Sequence, residues 1–284
     1  MRMKMNKFQN IVIQRSVATK NLGNIKWMLP RSFASLWMTL ICAFFTACST
    51  TKNLPEGEIL YTGIDKLEVV NEDKTLAGVT ALTEVEAALA YAPNNAILGS
   101  SSLRWPIPFG LWVYNGFEKY QDKKGVGRWI FDHLGKSPVL MSSVNGETRA
   151  KVATNLLRDY GYFNGSVSYQ EVPQKNPKEA KVSYVIDMAQ PYFLDSIAYL
   201  RYPHYADSLI RSTHSQSVLK SGENFSVLKL EEERQRLSSL FRNHGYYYYR
   251  PEFTTYRADT LQKPGYVSLQ VVPRNGVPTE ARKQ

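Results

Sequence analysis

The sequence predicts an α+β chain of two tandem units, each ordered strand, helix, helix, strand, strand, behind an N-terminal apolar segment. Three observations carry that expectation. Residues 156–163 (LLRDYGYF) align with 240–247 (LFRNHGYY) at an offset of 84, with identity at the first, third, sixth and seventh positions. Each copy follows apolar residues at helical spacing and precedes segments that alternate with a period of two. An uncharged apolar run at 33–47 ends directly before Cys48.

At 284 residues and 43% hydrophobic content, the chain can bury one to three small cores. The formal net charge of +10 suggests a nucleic-acid or membrane partner until its location is considered. Arg2, Lys4, Lys7, Arg15, Lys20, Lys26 and Arg31 supply +7 before Cys48 with no acid among them, which leaves +3 for the rest. That is too little for a nucleic-acid footprint. Only Cys42 and Cys48 are present, so nothing downstream can form a disulfide.

The run FASLWMTLICAFFTA at 33–47 is shorter than the about 20 apolar residues of a membrane span. Preceded by Arg31 and closed by the small Ala47, it has the parts of a signal peptide, so 1–47 is expected to be a cleaved leader. Phe45-Thr46-Ala47-Cys48 resembles the lipobox of bacterial lipoproteins, with Phe where Leu is usual. That resemblance implies lipidation of Cys48, and acylation there would make attachment to a membrane stable. Cys42 follows the bulky Ile41 and fits less well. The length of the leader points to translation starting at Met28, and the polar residues 48–58 read as a tether.

The first unit is expected over 59–190. It opens with a strand at 61–70, then a helix at 83–91 with Glu84 and Glu86 in its first turn. An insertion of about 50 residues at 93–143 follows, far longer than usual connections. The next helix places Val152, Leu156 and Tyr160 on one stripe and ends at Gly161, where a left-handed residue closes it. A strand at 166–172 sets Val167 and Tyr169 against Ser168 and Gln170, and a loop leads to a return strand at 181–187.

The second unit, over 191–275, repeats the order with a strand at 192–200 and a short helix at 205–212. Its second helix carries Leu230, Leu237, Leu240 and Phe241 on one stripe and ends at Gly245. A strand rich in Tyr, Phe and Thr is expected at 246–255, with Pro251 marking it as an edge, and a return strand at 265–272.

This order, with Gly-Tyr-Phe or Gly-Tyr-Tyr leaving the second helix, resembles the POTRA domain. Together with the lipobox and AYAPNNAILGSSSLRWPIPFGLWVYN, it makes residues 48–284 resemble the BamA/TamA family of outer-membrane assembly proteins in a lipid-anchored, TamA-like form. The resemblance implies a periplasm-facing protein at the outer membrane that binds unfolded outer-membrane protein segments or assembly-machinery proteins. It implies β-augmentation on the second strand of each unit. The candidate residues are Ser166, Val167, Ser168, Tyr169 and Gln170 in the first unit, and Tyr247, Tyr249, Phe253 and Thr254 in the second. Family members continue through another unit into a membrane β-barrel, so 276–284 is read as a linker to a missing unit and the chain as truncated, separately partnered or free-standing. A structural spacer or docking lipoprotein without client contact is the alternative.

The remaining motifs point away from catalysis. His133, His204, His214 and His244 lack metal-ligand or triad spacing, Gly125-Val126-Gly127 lacks a third glycine, and no cofactor or enzymatic role is expected. Glu231-Glu232-Glu233 reads as a solvated helix face. Trp105, Phe109, Trp112, Tyr114 and Phe117 in the insertion are expected to build a satellite core, with an exposed partner or headgroup surface as the other reading.

Overall fold

A computed structural model describes residues 49–282. The expected leader at 1–47, Cys48 and the last two residues lie outside that range. The described chain is α+β, with two three-stranded sheets ordered β1-β3-β2 and β4-β6-β5.

Strand β1 (Leu60–Val70) leads to helix α1 (Leu76–Leu89). The helix starts well before the expected Thr83, because Thr75 caps it by accepting the Gly78 N–H at 3.1 Å. Glu84 and Glu86 therefore lie mid-helix instead of in its first turn. The insertion holds α2 (Phe109–Phe117), α3 (Val126–Leu134) and the short α4 (Met141–Val144). Next come α5 (Gly146–Asp159), β2 (Ser166–Pro173) and β3 (Glu179–Asp187). The central β3 pairs parallel with β1 and antiparallel with β2. Helices α1 and α5 cover one face of this sheet, and Val85, Leu89, Leu157, Val182, Tyr184 and Ile186 share its core.

The buried face of α5 differs from the expected stripe. Ala150, Ala153 and Leu157 are buried, Leu156 and Tyr160 flank the core, and Val152 is exposed. Alanines let the helix axis approach its neighbours closely, so the inward face is the one with small side chains.

The second half repeats the plan with β4 (Phe193–Tyr199), α6 (His204–Ser212), α7 (Val227–Asn243), β5 (Thr254–Asp259) and β6 (Tyr266–Pro273). Leu237, Phe241, Val267, Leu269 and Val271 lie at the centre of its core. Glu233 departs from the expected solvated face: it is fully buried, with its carboxylate accepting from Tyr199 Oη (2.6 Å), Val218 N (3.1 Å) and Arg236 Nη2 (2.6 Å). Burial and the Glu233 hydrogen bond push the Tyr199 hydroxyl up to about 12.

Gly161 and Gly245 both take positive φ, +91° and +97°, at the exits of α5 and α7. Gly161 also lies where the two halves meet. A Cβ there would come within 2.7 Å of the Phe225 carbonyl oxygen, and its own carbonyl accepts the Tyr192 N–H at 2.9 Å. The following Phe163 packs edge-on against Tyr192 and at a tilt against Phe225, each with ring centroids 5.0 Å apart. Beyond β6, Val277 and Ala281 are buried, so this stretch packs onto the molecule.

Candidate functional site

Each sheet has two outer strands, and their free sides are treated differently. Beside β1, Tyr61 N donates to Val139 O and Met141 N donates to Ile59 O, so the end of the insertion closes part of that edge. Beside β4, Leu194 N donates to Glu223 O and Gly222 N to Leu194 O, and an irregular stretch closes that edge in the same way. Among the described residues, β2 and β5 pair with one strand each, and no main chain is bonded to their outer sides.

The register shows which groups β2 leaves outward. Val167 N donates to the Thr154 hydroxyl at 2.9 Å, away from β3. Alternation along an antiparallel pair then aims the main-chain groups of Tyr169 and Glu171 outward too. Pro173 continues this set without a donor. The side chains alternate as expected, with Val167 buried, Tyr169 half-buried, and Ser166, Ser168 and Gln170 exposed.

Helix α5 runs beside this edge, and between them lies a groove of about 570 Å³ lined by Glu147, Lys151, Thr154, Arg158, Val167 and Tyr169 among others. Gly146 is what lets the Tyr169 ring lie against the helix start, since a Cβ would fall 2.4 Å from Cε2. Partial burial and a hydrogen bond to the Glu171 carboxylate raise the Tyr169 hydroxyl to about 12. Thr154, Lys151 and Arg158 were not singled out in the sequence. Their spacing on the outward shoulder of α5 is the signal that marks them.

On the second sheet the expected strand is shorter. Tyr247 is exposed and lies in the turn after α7, Tyr249 is buried with its ring 4.7 Å from Phe241, and Phe253 closes a 3-10 turn that begins at Pro251. None of these three is on the strand. Proline presets the φ of a helical first turn and supplies no ladder donor, so β5 begins only at Thr254. Thr254 itself is buried, its hydroxyl 3.0 Å from Tyr249 Oη. The accessible part of this edge is Arg257 and Ala258, which the sequence reading did not select.

Part of the insertion packs as a small core and part of it is exposed. Leu111 and Val113 are buried and Tyr114 packs on Phe131 at 5.2 Å, while Trp105, Phe109 and Trp129 remain more than half exposed. The expected tether is fastened to it: Asn115 Nδ2 donates to the carbonyls of Ser49 (2.8 Å) and Thr50 (3.2 Å), and Asn53 Nδ2 donates to Asn115 O at 3.2 Å. Cys48 lies outside the described residues.

No family model and no curated protein matches this chain. Among solved structures, the chain is similar to POTRA3-5 of BamA from Haemophilus influenzae, at 10% identity and a TM-score of 0.31 over 78% of this chain and 100% of that one. It is similar to POTRA1-2 of the periplasmic domain of Omp85 from Anabaena, at 15% identity and a TM-score of 0.30 over 76% and 96%. POTRA1-3 of the same domain aligns at 13% identity and 0.31 over 76% and 62%. Among the described residues no cluster of His, Cys, Asp or Glu could hold a metal ion, and no helix is long and apolar enough to cross a membrane.

Proposed function

We propose that this chain is a periplasm-facing lipoprotein of the outer membrane, anchored at Cys48 and TamA-like within the BamA/TamA family. Its two units receive extended segments of outer-membrane proteins, or of the proteins that assemble them, by strand addition to β2 and β5. The observation that supports this most is the contrast between edges. In both sheets the outer side of the first strand is partly closed by main chain, while among the described residues no main chain bonds that of the second, where in β2 the Val167 N–H is taken by the Thr154 hydroxyl and the outward groups from Tyr169 on have no main-chain partner. Uncovered strand edges invite pairing with other chains, and proteins normally cover or charge them. The groove beside β2 adds room for side chains of an incoming strand, and Lys151 and Arg158 along it offer charge without a strict sequence demand.

A photo-crosslinking amino acid at Ser168 or Arg257 should capture polypeptide partners in cells. Glu171→Pro removes one outward N–H while leaving the bonds to β3 in place, so it should reduce capture at Ser168 with the circular dichroism unchanged. Undiminished capture in Glu171→Pro, or no capture from either sheet, would falsify strand addition.

A rigid spacer without client contact is favoured by one feature, the aromatic contact of Phe163 with Tyr192 and Phe225 between the two halves. On that reading Glu171→Pro has no phenotype in cells and Phe163→Ala has a strong one.

A further inference from the structure

Helix α3 is a nine-residue segment with no buried residue. So short a helix is marginal without a surface to rest on. One side meets α2 and the 3-10 turn after it: Phe131 faces Tyr114 of α2, and Gly127 lies under the ring of Tyr120 in the turn Glu118–Tyr120. Its other side carries Val126 (76% exposed), Trp129 (55%) and Leu134 (43%), with Trp129 stacked on His133 at 4.9 Å. Nearby in sequence, Trp105 and Phe109 are exposed at the entry to α2.

Charge is distributed in the same place. Residues 93–143 hold six lysines and arginines against three acids, while the other residues after Cys48 hold twenty-two of each. The whole net positive charge of that part of the chain therefore lies in the insertion. Lys123, Lys124 and Arg128 are exposed on the turn and first residues of α3, beside the apolar stripe. Within α3 itself Arg128 is paired with Asp132 at 3.3 Å, so the unpaired excess of charge sits in the turn that leads into the helix. A helix with tryptophan on its apolar side behind a basic turn has the chemistry of an interfacial segment, with indole at headgroup level and ammonium groups toward lipid phosphates.

A third observation says which surface is in reach. The Asn115 amide clamps the Ser49 and Thr50 carbonyls onto α2, so the residue that precedes Ser49 is within about 7 Å of chain from the clamp at full extension. A free tether would allow any orientation. A clamped one brings the α2–α3 hairpin down to whatever the chain start is attached to.

We infer that the α2–α3 hairpin lies on the membrane surface beside the anchor, with Val126, Trp129, Trp105 and Phe109 in the interface and Lys123, Lys124 and Arg128 against anionic headgroups. This rests on lipidation of Cys48. The hairpin orients the open strand edges relative to the bilayer, which an acyl chain on a flexible tether cannot do.

The test uses the full chain with Cys42→Ala, purified from membranes and reconstituted into phosphatidylethanolamine–phosphatidylglycerol vesicles. A spin label is placed through Val126→Cys or, as a control, Lys151→Cys on α5, and intact mass reports acylation of Cys48. The expected result is a label at 126 that is reached by oxygen and shielded from aqueous nickel chelate, with the label at 151 open to the chelate. Replacing the anionic lipid by phosphatidylcholine, or adding Trp105→Ser, Phe109→Ser and Trp129→Ser, should return the label at 126 to water without changing the circular dichroism. An acylated chain with a water-facing label at 126 overturns the inference and leaves the anchor standing. An interfacial label on an unacylated chain removes the anchor alone, and a water-facing label on an unacylated chain removes both.

Discussion

Glu233 shows how a single carboxylate becomes structural. It falls four and eight residues before Leu237 and Phe241, on the inward stripe of α7, and that spacing was present in the sequence beneath the run of three glutamates. Burial is compensated by donors from β4, from the loop at Val218 and from α7 itself, of which Arg236 is the only cation. Arg236→Ala would leave the charge buried and unpaired, a change that costs about 3–5 kcal/mol, read as a lower midpoint in urea unfolding. Asp73 is a second case. Burial works to raise its pKa, but hydrogen bonds from the Thr75 N–H and the Tyr162 hydroxyl outweigh it and hold the carboxyl below its ordinary value. A depressed folded-state pKa adds stability that is complete above the unfolded value of about 3.9 and is lost as pH falls through the folded one. Asp73→Asn should therefore be less stable than the parent at pH 7, with the gap in urea midpoint closing as the solution is acidified below pH 4. A gap that does not change with pH would remove Asp73 from the account.

At the scale of elements, strand and helix identities followed from periodicity, and the errors have physical causes. The Tyr-rich stretch after Gly245 reads as a strand by composition, yet Tyr249 is drawn into the core against Phe241 and Pro251 starts a turn. Aromatic side chains can satisfy burial from a turn as well as from a strand, so propensity alone could not place the start of β5. Helix α1 begins at its cap Thr75, seven residues before the expected Leu82–Thr83 boundary, and Gly78 within its first turn is a residue that weakens a helical pattern. Gly78 is buried, and a Cβ would press on the Asp73 carbonyl oxygen at 2.2 Å, so the same glycine permits the approach of the preceding loop. The candidate edge on β2 was legible residue by residue, because alternation distinguishes Val167 from Ser168 without knowledge of neighbours.

For the whole molecule, the contact between halves decides whether the two sheets act as one body. Phe163 reaches across from the exit of α5 to Tyr192 and Phe225, and Gly161 allows the Phe225 backbone to approach. Phe163→Ala removes both ring contacts at a cost of about 1–3 kcal/mol at this half-buried site. The expected outcome is a thermal transition that broadens or separates in two, with X-ray scattering showing a wider spread of distances between the halves. A single unchanged transition would mean that other contacts carry the coupling. Tyr247 occupies the repeat position of Phe163 and is exposed, so the same turn presents a packed ring in one half and a free one in the other.

The α+β class, the repeat of strand, helix, helix, strand, strand, the two glycine exits and the alternation of β2 were determined by sequence alone, because each depends on local sterics or on the period of the chain. Which edges are covered, that Asn115 clamps Ser49 and Thr50, that Glu233 is buried and that α3 leaves an apolar stripe in the open were decided only in three dimensions. Those features join residues separated by up to about eighty positions, such as Tyr61 with Val139 or Ser49 with Asn115. No local pattern encodes such a pairing, since it exists only once both cores have closed and set the distance between the partners.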